Sequence, residues 1–228
     1  MNRPLALSTP SASTGWGASI ARHRVLRNTY ALLSMTLLFS AAIAGLAVAL
    51  QAPPAGLVIT LVGYFGLLFL VHKLQHSGWA IPVVFALTGF MGYTLGPVLA
   101  KHLALPGGAQ TIALALGATG ATFLALSAWV LASRRDFSFM GGFLFAGMVI
   151  ALLAGLGAVF LQLPALSLAV SAMVALLSAG MILFETSRIV NGGETNYVTA
   201  TLAVYLDVYN IFVGLLNLVM AFGGGDRD

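Results

Sequence analysis

From residue 28 onward the chain runs in seven apolar stretches, at residues 28–50, 55–72, 79–100, 109–132, 141–161, 165–188 and 197–222. Short polar or Pro/Gly interruptions separate them. Each stretch is near the ~20 residues needed to cross ~30 Å of hydrocarbon at about 1.5 Å per residue. The pattern predicts an all-α membrane protein with seven transmembrane helices over residues 23–222. Ahead of them, residues 1–22 are rich in Ser, Thr, Pro and Gly and lack the apolar run of roughly 7–15 residues that a cleavable signal needs. They read as a flexible cytoplasmic tail, and residues 223–228 as a short periplasmic one.

Small residues recur at helical spacing. Gly92 and Gly96 form a GxxxG pair, and Gly147, Ala151 and Gly155 form a stripe at four-residue intervals. In lipid no hydrophobic drive pushes helices together, so small side chains that let backbones approach take its place. Both signals fit packing within one subunit better than dimerisation. The sequence leaves oligomeric state open. Pro82 and Pro97 fall inside the third stretch, where they are expected to kink it or shorten its helical core.

Composition makes the membrane assignment firm. The chain is 60% hydrophobic and 7% charged, with a mean hydropathy of +1.00, whereas a soluble domain carries about 25% charged residues to keep its surface wet. The net charge of +4 does not signify nucleic acid, because the basic residues are scattered between spans. They report topology instead. With the N-terminus inside, Arg3, Arg22, Arg24, Arg27, Lys73, Arg134, Arg135 and Arg188 are cytoplasmic, and only Lys101 and Arg227 lie outside. Positive charge concentrates on cytoplasmic loops, so the expected protein is multi-pass, N-terminus cytoplasmic and C-terminus periplasmic. Cysteine is absent, which removes disulfides, thiol nucleophiles and cysteine metal sites.

The chemistry lies in two carboxylates. Glu185, in SAGMILFETSRIV, and Asp207, in ATLAVYLDVYNIFVGLL, sit within apolar spans of a chain with six acidic residues. Ionisable groups at membrane depth face a bundle interior, a partner or water and mark candidate ion or proton sites. Asp207 lies about ten residues into the last span, roughly 15 Å deep by helical rise. Asn210 and Asn217 can share its helical face, and Tyr205 and Tyr209 add to the polarity of that span. The alternative is a structural carboxyl hydrogen-bonded to a neighbouring helix. Glu185 lies nearer the membrane edge, where Arg188 at i+3 offers a local salt bridge. A hairpin centred on Gly192–Gly193 places Glu185 shallower than Asp207 by on the order of 10 Å, so spacing alone does not bring the acids together.

Catalytic signatures are missing: there is no HExxH, no GxSxG and no phosphate loop. FETS and YLDV also differ from the YD and GxGD contexts of intramembrane aspartyl proteases. The chain reads as a non-enzyme without a cofactor. His72 and His76 have metal-like i,i+4 spacing, but no third ligand is nearby and Ser77–Gly78 break the helix.

HRVLRNTYALLS at residues 23–34, SRRDFSFMGG at 133–142, FETSRIVNGGETNY at 184–197 and YLDVYNIF at 205–212 together resemble the Bax inhibitor family, and within it the bacterial YccA-type subgroup. The resemblance covers nearly the whole chain. It implies a seven-helix fold whose last helix is central and wrapped by the other six. It also implies residence in the bacterial inner membrane and binding to a membrane-anchored AAA protease of FtsH type, whose degradation of membrane substrates the protein modulates. The cytoplasmic tail is then the part that the AAA pore can engage. A second implication, from relatives similar to pH-sensitive calcium leak channels, is that Glu185 and Asp207 occupy the two acid positions that respond to protons. Calcium would be the conducted ion, with Arg188, Tyr209, Asn210 and Asn217 in support. Glu185 stands where many relatives have Asp before Thr.

Overall fold

Hydropathy and helix propensity fix where each span runs, but they do not end at the same residue. The computed structural model describes residues 13–223 and contains α1 (Ser13–Ala49), α2 (Leu57–Leu74), α3 (Ala80–Leu103), α4 (Gly108–Ser133), α5 (Gly141–Phe160), α6 (Pro164–Asn191) and α7 (Tyr197–Gly223), with a single 3-10 turn, Ser138–Met140, leading into α5. All seven are long and apolar enough to cross a membrane. The spans read from hydropathy match these helices closely except at the first. α1 begins at Ser13, well ahead of the apolar stretch that starts at residue 28. Ala18, Ala21 and Arg22 favour helix, whatever Gly15 and Gly17 cost it, and the helix runs on past the apolar stretch. Of the tail expected over residues 1–22, residues 13–22 are therefore helical, and residues 1–12 lie outside the described residues, as do residues 224–228.

Helix ends follow local chemistry. Pro164 opens α6, a position where its missing N–H is not needed. Pro82 occupies the first turn of α3, which spares the helix the kink expected there, and α3 runs on as one helix through Pro97. α6 stops at Gly192, which takes the left-handed conformation (φ 81°). The N–H groups of Gly193 and Glu194 then turn back to the Arg188 carbonyl at 2.8 and 3.1 Å. A side chain at Gly192 would strain that conformation.

The core gathers around α7. Its buried Val204, Tyr205, Val208 and Ile211 meet Leu33 of α1, Val84, Leu87 and Met91 of α3, and Ile182 of α6. α7 packs against α1, α3, α4 and α6, whereas α2 packs mainly on α3 and α5 mainly on α6. The last helix thus packs chiefly on α6, α4 and α1 and only lightly on α3, rather than being wrapped by all six. Two outer helices complete the bundle and leave broad apolar faces, such as Val58, Ile59, Val62 and Phe69 on α2 and Phe143, Phe145 and Ile150 on α5, for lipid.

Both small-residue signals are used inside the chain. The α3 face carrying Gly92 and Gly96 lies against α1, where a Cβ on Gly92 would run into the Ser40 carbonyl and one on Gly96 into Ala47. A Cβ on Gly147 of α5 would stand 2.7 Å from Leu177 of α6, and Ala151 on the same stripe is buried. Gly92→Ala is therefore expected to lower stability by about 1–3 kcal/mol through overpacking against backbone. Gly45→Ala, with nothing within 4 Å, should be neutral or slightly stabilising. Thermal unfolding of the purified variants in detergent distinguishes the two.

Candidate functional site

The α6–α7 hairpin carries both membrane carboxylates, and its turn sets their relative depth. Glu185 lies six residues before Asn191, and Asp207 ten residues after Tyr197. The difference of four residues is about 6 Å of helical rise. Residues 192–196 are not helical, so the turn is centred further along the chain than Gly192–Gly193. The offset is correspondingly smaller than the one expected from an ideal hairpin.

Glu185 and Asp207 have different surroundings. Both are buried, at 5% and 4% exposure. Glu185 Oε2 accepts from the Arg188 guanidinium at 3.3 Å, and the other arm of Arg188 donates to Glu194 Oε2 at 3.3 Å. Arg188 also lies over the Phe184 ring, 5.5 Å from its centroid. One guanidinium thus bridges two carboxylates, a task suited to its planar fork of donors. Asp207 has no such partner, and its Oδ2 makes no hydrogen bond. No hydrogen bond joins the two acids among the described residues.

The remaining candidates of α7 divide between helix pinning and packing. Asn217 donates to Ser171 Oγ of α6 at 3.2 Å, so it ties two helices together. Tyr209 is half-buried and stacks on Tyr205 with ring centroids 6.3 Å apart. Asn210 is half-buried as well. Asn210 and Asn217, three and ten residues after Asp207 in one continuous helix, lie towards the same side of α7 as Asp207. The described residues hold no group of three or more His, Asp or Glu side chains placed for a metal. Calcium takes six to eight oxygen ligands, and with Glu185 tied to Arg188 the side chains form no such cage here. His72 and His102 each bond a carbonyl four residues back on their own helix, at 3.0 and 2.7 Å.

Known proteins with the same sequence pattern fit this architecture. The family described as "Inhibitor of apoptosis-promoting Bax1" matches residues 22–224. The chain belongs to the Bax inhibitor family. It is 51% identical to "Modulator of FtsH protease YccA" of Escherichia coli strain K12, over 92% of this chain and 94% of that protein. It is equally similar to a protein of E. coli O6:H1 named "Inner membrane protein YccA". An uncharacterised protein of Pseudomonas aeruginosa is 46% identical over 89% of this chain and 91% of its own length.

In this Bax inhibitor family member the turn contributes groups that spacing within α6 and α7 did not reveal. Glu194 pairs with Arg188 and also accepts from the Thr195 and Asn196 N–H groups through Oε1, at 2.9 and 2.8 Å. Asn196 caps α7 by accepting from the Val198 N–H at 2.9 Å, and its amide donates to the Gln75 carbonyl just past α2, also at 2.9 Å. On the far side of α6, Ser187 Oγ accepts from the Phe137 N–H at 2.9 Å and donates to Asp136 Oδ1 at 3.4 Å. Asp136 is exposed in the α4–α5 connection, and hydrogen bonding from Ser138 holds its carboxyl below the usual carboxylate range. The NGGETN pattern contained the Asn196 cap, since Asn favours that position. The Arg188–Glu194 and Ser187–Asp136 partnerships need the folded turn and the α4–α5 connection brought alongside α6.

Arg188→Gln leaves Glu185 buried beside a weaker partner, and should cost about 1–3 kcal/mol. Glu185→Gln in the same chain should recover part of the loss. A double-mutant cycle read by thermal unfolding measures the coupling, and independent, additive losses would exclude the bridge as a stabilising contact.

Proposed function

We propose that this protein is an inner-membrane modulator of a membrane-anchored AAA protease of FtsH type. One observation carries the reading: near end-to-end similarity, at 51% identity, to the E. coli protein named as the modulator of that protease. The architecture is compatible with a binding partner. The hairpin turn is locked by Arg188, Glu194 and Asn196, and no catalytic constellation accompanies it. The N-terminus lies in the cytoplasm and the C-terminus in the periplasm, following the distribution of Lys and Arg. The residues ahead of α1 are then on the side where a AAA ring works and supply its point of engagement. Association with the protease slows its turnover of membrane substrates.

Two experiments test this. Affinity purification of the full chain from membranes should bring the FtsH-type protease with it, and a model membrane substrate should persist longer when the protein is present. Absence of both effects would sink the reading. Deleting residues 2–12 should weaken co-purification if that segment is the point of engagement, while leaving the unfolding temperature of the bundle unchanged.

A second reading, a proton-responsive cation leak, has one observation of its own: the buried Asp207 carboxylate whose Oδ2 has no hydrogen-bond partner. Adding or removing a proton there changes the charge inside the bundle and so can shift a closed–open equilibrium. Calcium flux into liposomes should then depend on pH and change in both Asp207→Asn and Glu185→Gln. Flux equal to that of empty liposomes at every pH removes this reading and leaves the first untouched.

A further inference from the structure

At the end of the bundle that holds the α6–α7 turn, α1 and α4 do not close against each other. Both pack on α6 and α7, and the gap between them forms two adjoining clefts of about 690 and 230 Å³. The larger is lined by His23, Arg24, Arg27 and Tyr30, and the smaller by His23, Arg134 and the end of α6. Leu26 and Leu131 line both and give them a shared apolar floor. No acidic residue lines either cleft.

Among the described residues the cationic groups of the two clefts make no ion pair, and the only ion pairs are the two made by Arg188. Glu185 and Glu194 are engaged there, Asp136 accepts from Ser138 and Ser187, and Asp207 lies in the core. The remaining acids, Asp226 and Asp228, follow the opposite end of α7, and residues 1–22 contain no Asp or Glu. The chain therefore has no acid of its own to place in the cleft. Tyr30 adds an aromatic wall to the larger cleft, and Arg134, the C-cap of α4, borders the smaller one.

We propose that this cleft binds the headgroup of an anionic phospholipid, with Arg24, Arg27 and Arg134 on the phosphate oxygens and the start of an acyl chain on Leu26 and Leu131. Its height suits such an occupant. Arg24 and Arg27 immediately precede the apolar stretch of α1 that starts at residue 28, and Arg134 ends α4, so the arginines stand at the boundary where phosphates lie. Basic pockets between transmembrane helices at that level favour anionic headgroups, and guanidinium forks match phosphate oxygens in pairs. An acidic protein segment would satisfy the charges but not the apolar floor of Leu26 and Leu131. The proposal is independent of the protease reading.

The test is native mass spectrometry of the full-length protein in a neutral detergent, titrated with cardiolipin, phosphatidylglycerol and phosphatidylcholine of matched chains. The two anionic lipids should be retained and phosphatidylcholine lost. Each basic residue near the membrane surface is worth roughly fivefold in affinity, so Arg24→Gln/Arg27→Gln/Arg134→Gln should lose on the order of 100-fold. Lys73→Gln/Arg135→Gln, at the same end but off the cleft, should bind like the parent. If the triple variant does not fold, Arg27→Gln alone should lose about fivefold. Equal retention of phosphatidylcholine overturns the proposal, as does an unchanged affinity in the cleft variants. An equal loss in the off-cleft pair would show diffuse attraction rather than a site. Binding of free inorganic phosphate or a polyglutamate peptide as tightly as lipid would likewise overturn it.

Discussion

Water does not reach the hydrocarbon core, so the polar groups that α7 carries through it have to find partners on neighbouring helices. Tyr205 shows how the bundle meets this constraint. Its hydroxyl shares a 2.7 Å hydrogen bond with Ser40 of α1 and donates to the Thr88 carbonyl of α3 at 3.4 Å, so one side chain joins three helices. Thr201 bonds the Thr29 carbonyl of α1 at 3.2 Å, and Asn217 bonds Ser171 of α6 at 3.2 Å. These bonds fall at successive heights along α7 and fix its rotation as well as its position. An apolar helix of the same length has no such preference, because its side chains are as content in lipid as in the bundle.

The same solvent explains why small residues accompany those bonds. A tyrosine on α7 reaches a serine on α1 and a carbonyl on α3 only if α1 and α3 are themselves close. Gly92 and Gly96 provide that closeness by bringing α3 onto the α1 backbone at Ser40 and Ala47. On the other side, Gly214 of α7 lies so near α6 that a Cβ there would stand 2.7 Å from the Ser171 carbonyl, one turn from the Asn217–Ser171 bond. Close approach and hydrogen bonding are thus linked at both contacts, and neither would hold the geometry alone.

Much of this was legible in the sequence because the physics is local. Span lengths follow from apolar runs, and the membrane assignment follows from the scarcity of charge. The Glu185–Arg188 bridge is an i,i+3 neighbour on one helix. What was not legible depends on how segments fold past their own hydropathy or meet across the chain. The start of α1 lies beyond its apolar part, since helix propensity does not stop at the membrane surface. The depth of Asp207 relative to Glu185 depended on where the turn is centred, which Gly192–Gly193 marked only at its beginning. Tyr205 was recognised as polar but not as the link between α1 and α3, because its partners lie 165 and 117 residues away. The family resemblance supplied a last helix wrapped by the other six, and in the bundle α7 packs chiefly on α6, α4 and α1, with α2 and α5 set further out.

Asp207 is where the constraint is left unmet. Several buried hydroxyls, among them Ser127, Ser178 and Thr186, also lack partners, but a neutral hydroxyl loses far less on desolvation than an unpaired carboxylate. Asp207 is surrounded by well-anchored elements: Tyr205 is held two residues before it, and Glu185 is held by Arg188, which is held in turn by the Glu194 of the turn. A loosely packed bundle could relax to give the carboxylate a partner, whereas this one is fixed on both sides of it. The carboxyl that remains without a partner therefore sits between two anchored points of one hairpin, Tyr205 on α7 and the Arg188 bridge on α6. A group that cannot find a hydrogen bond at such a place is left with burial alone, and holding its proton is the way a carboxyl meets that condition.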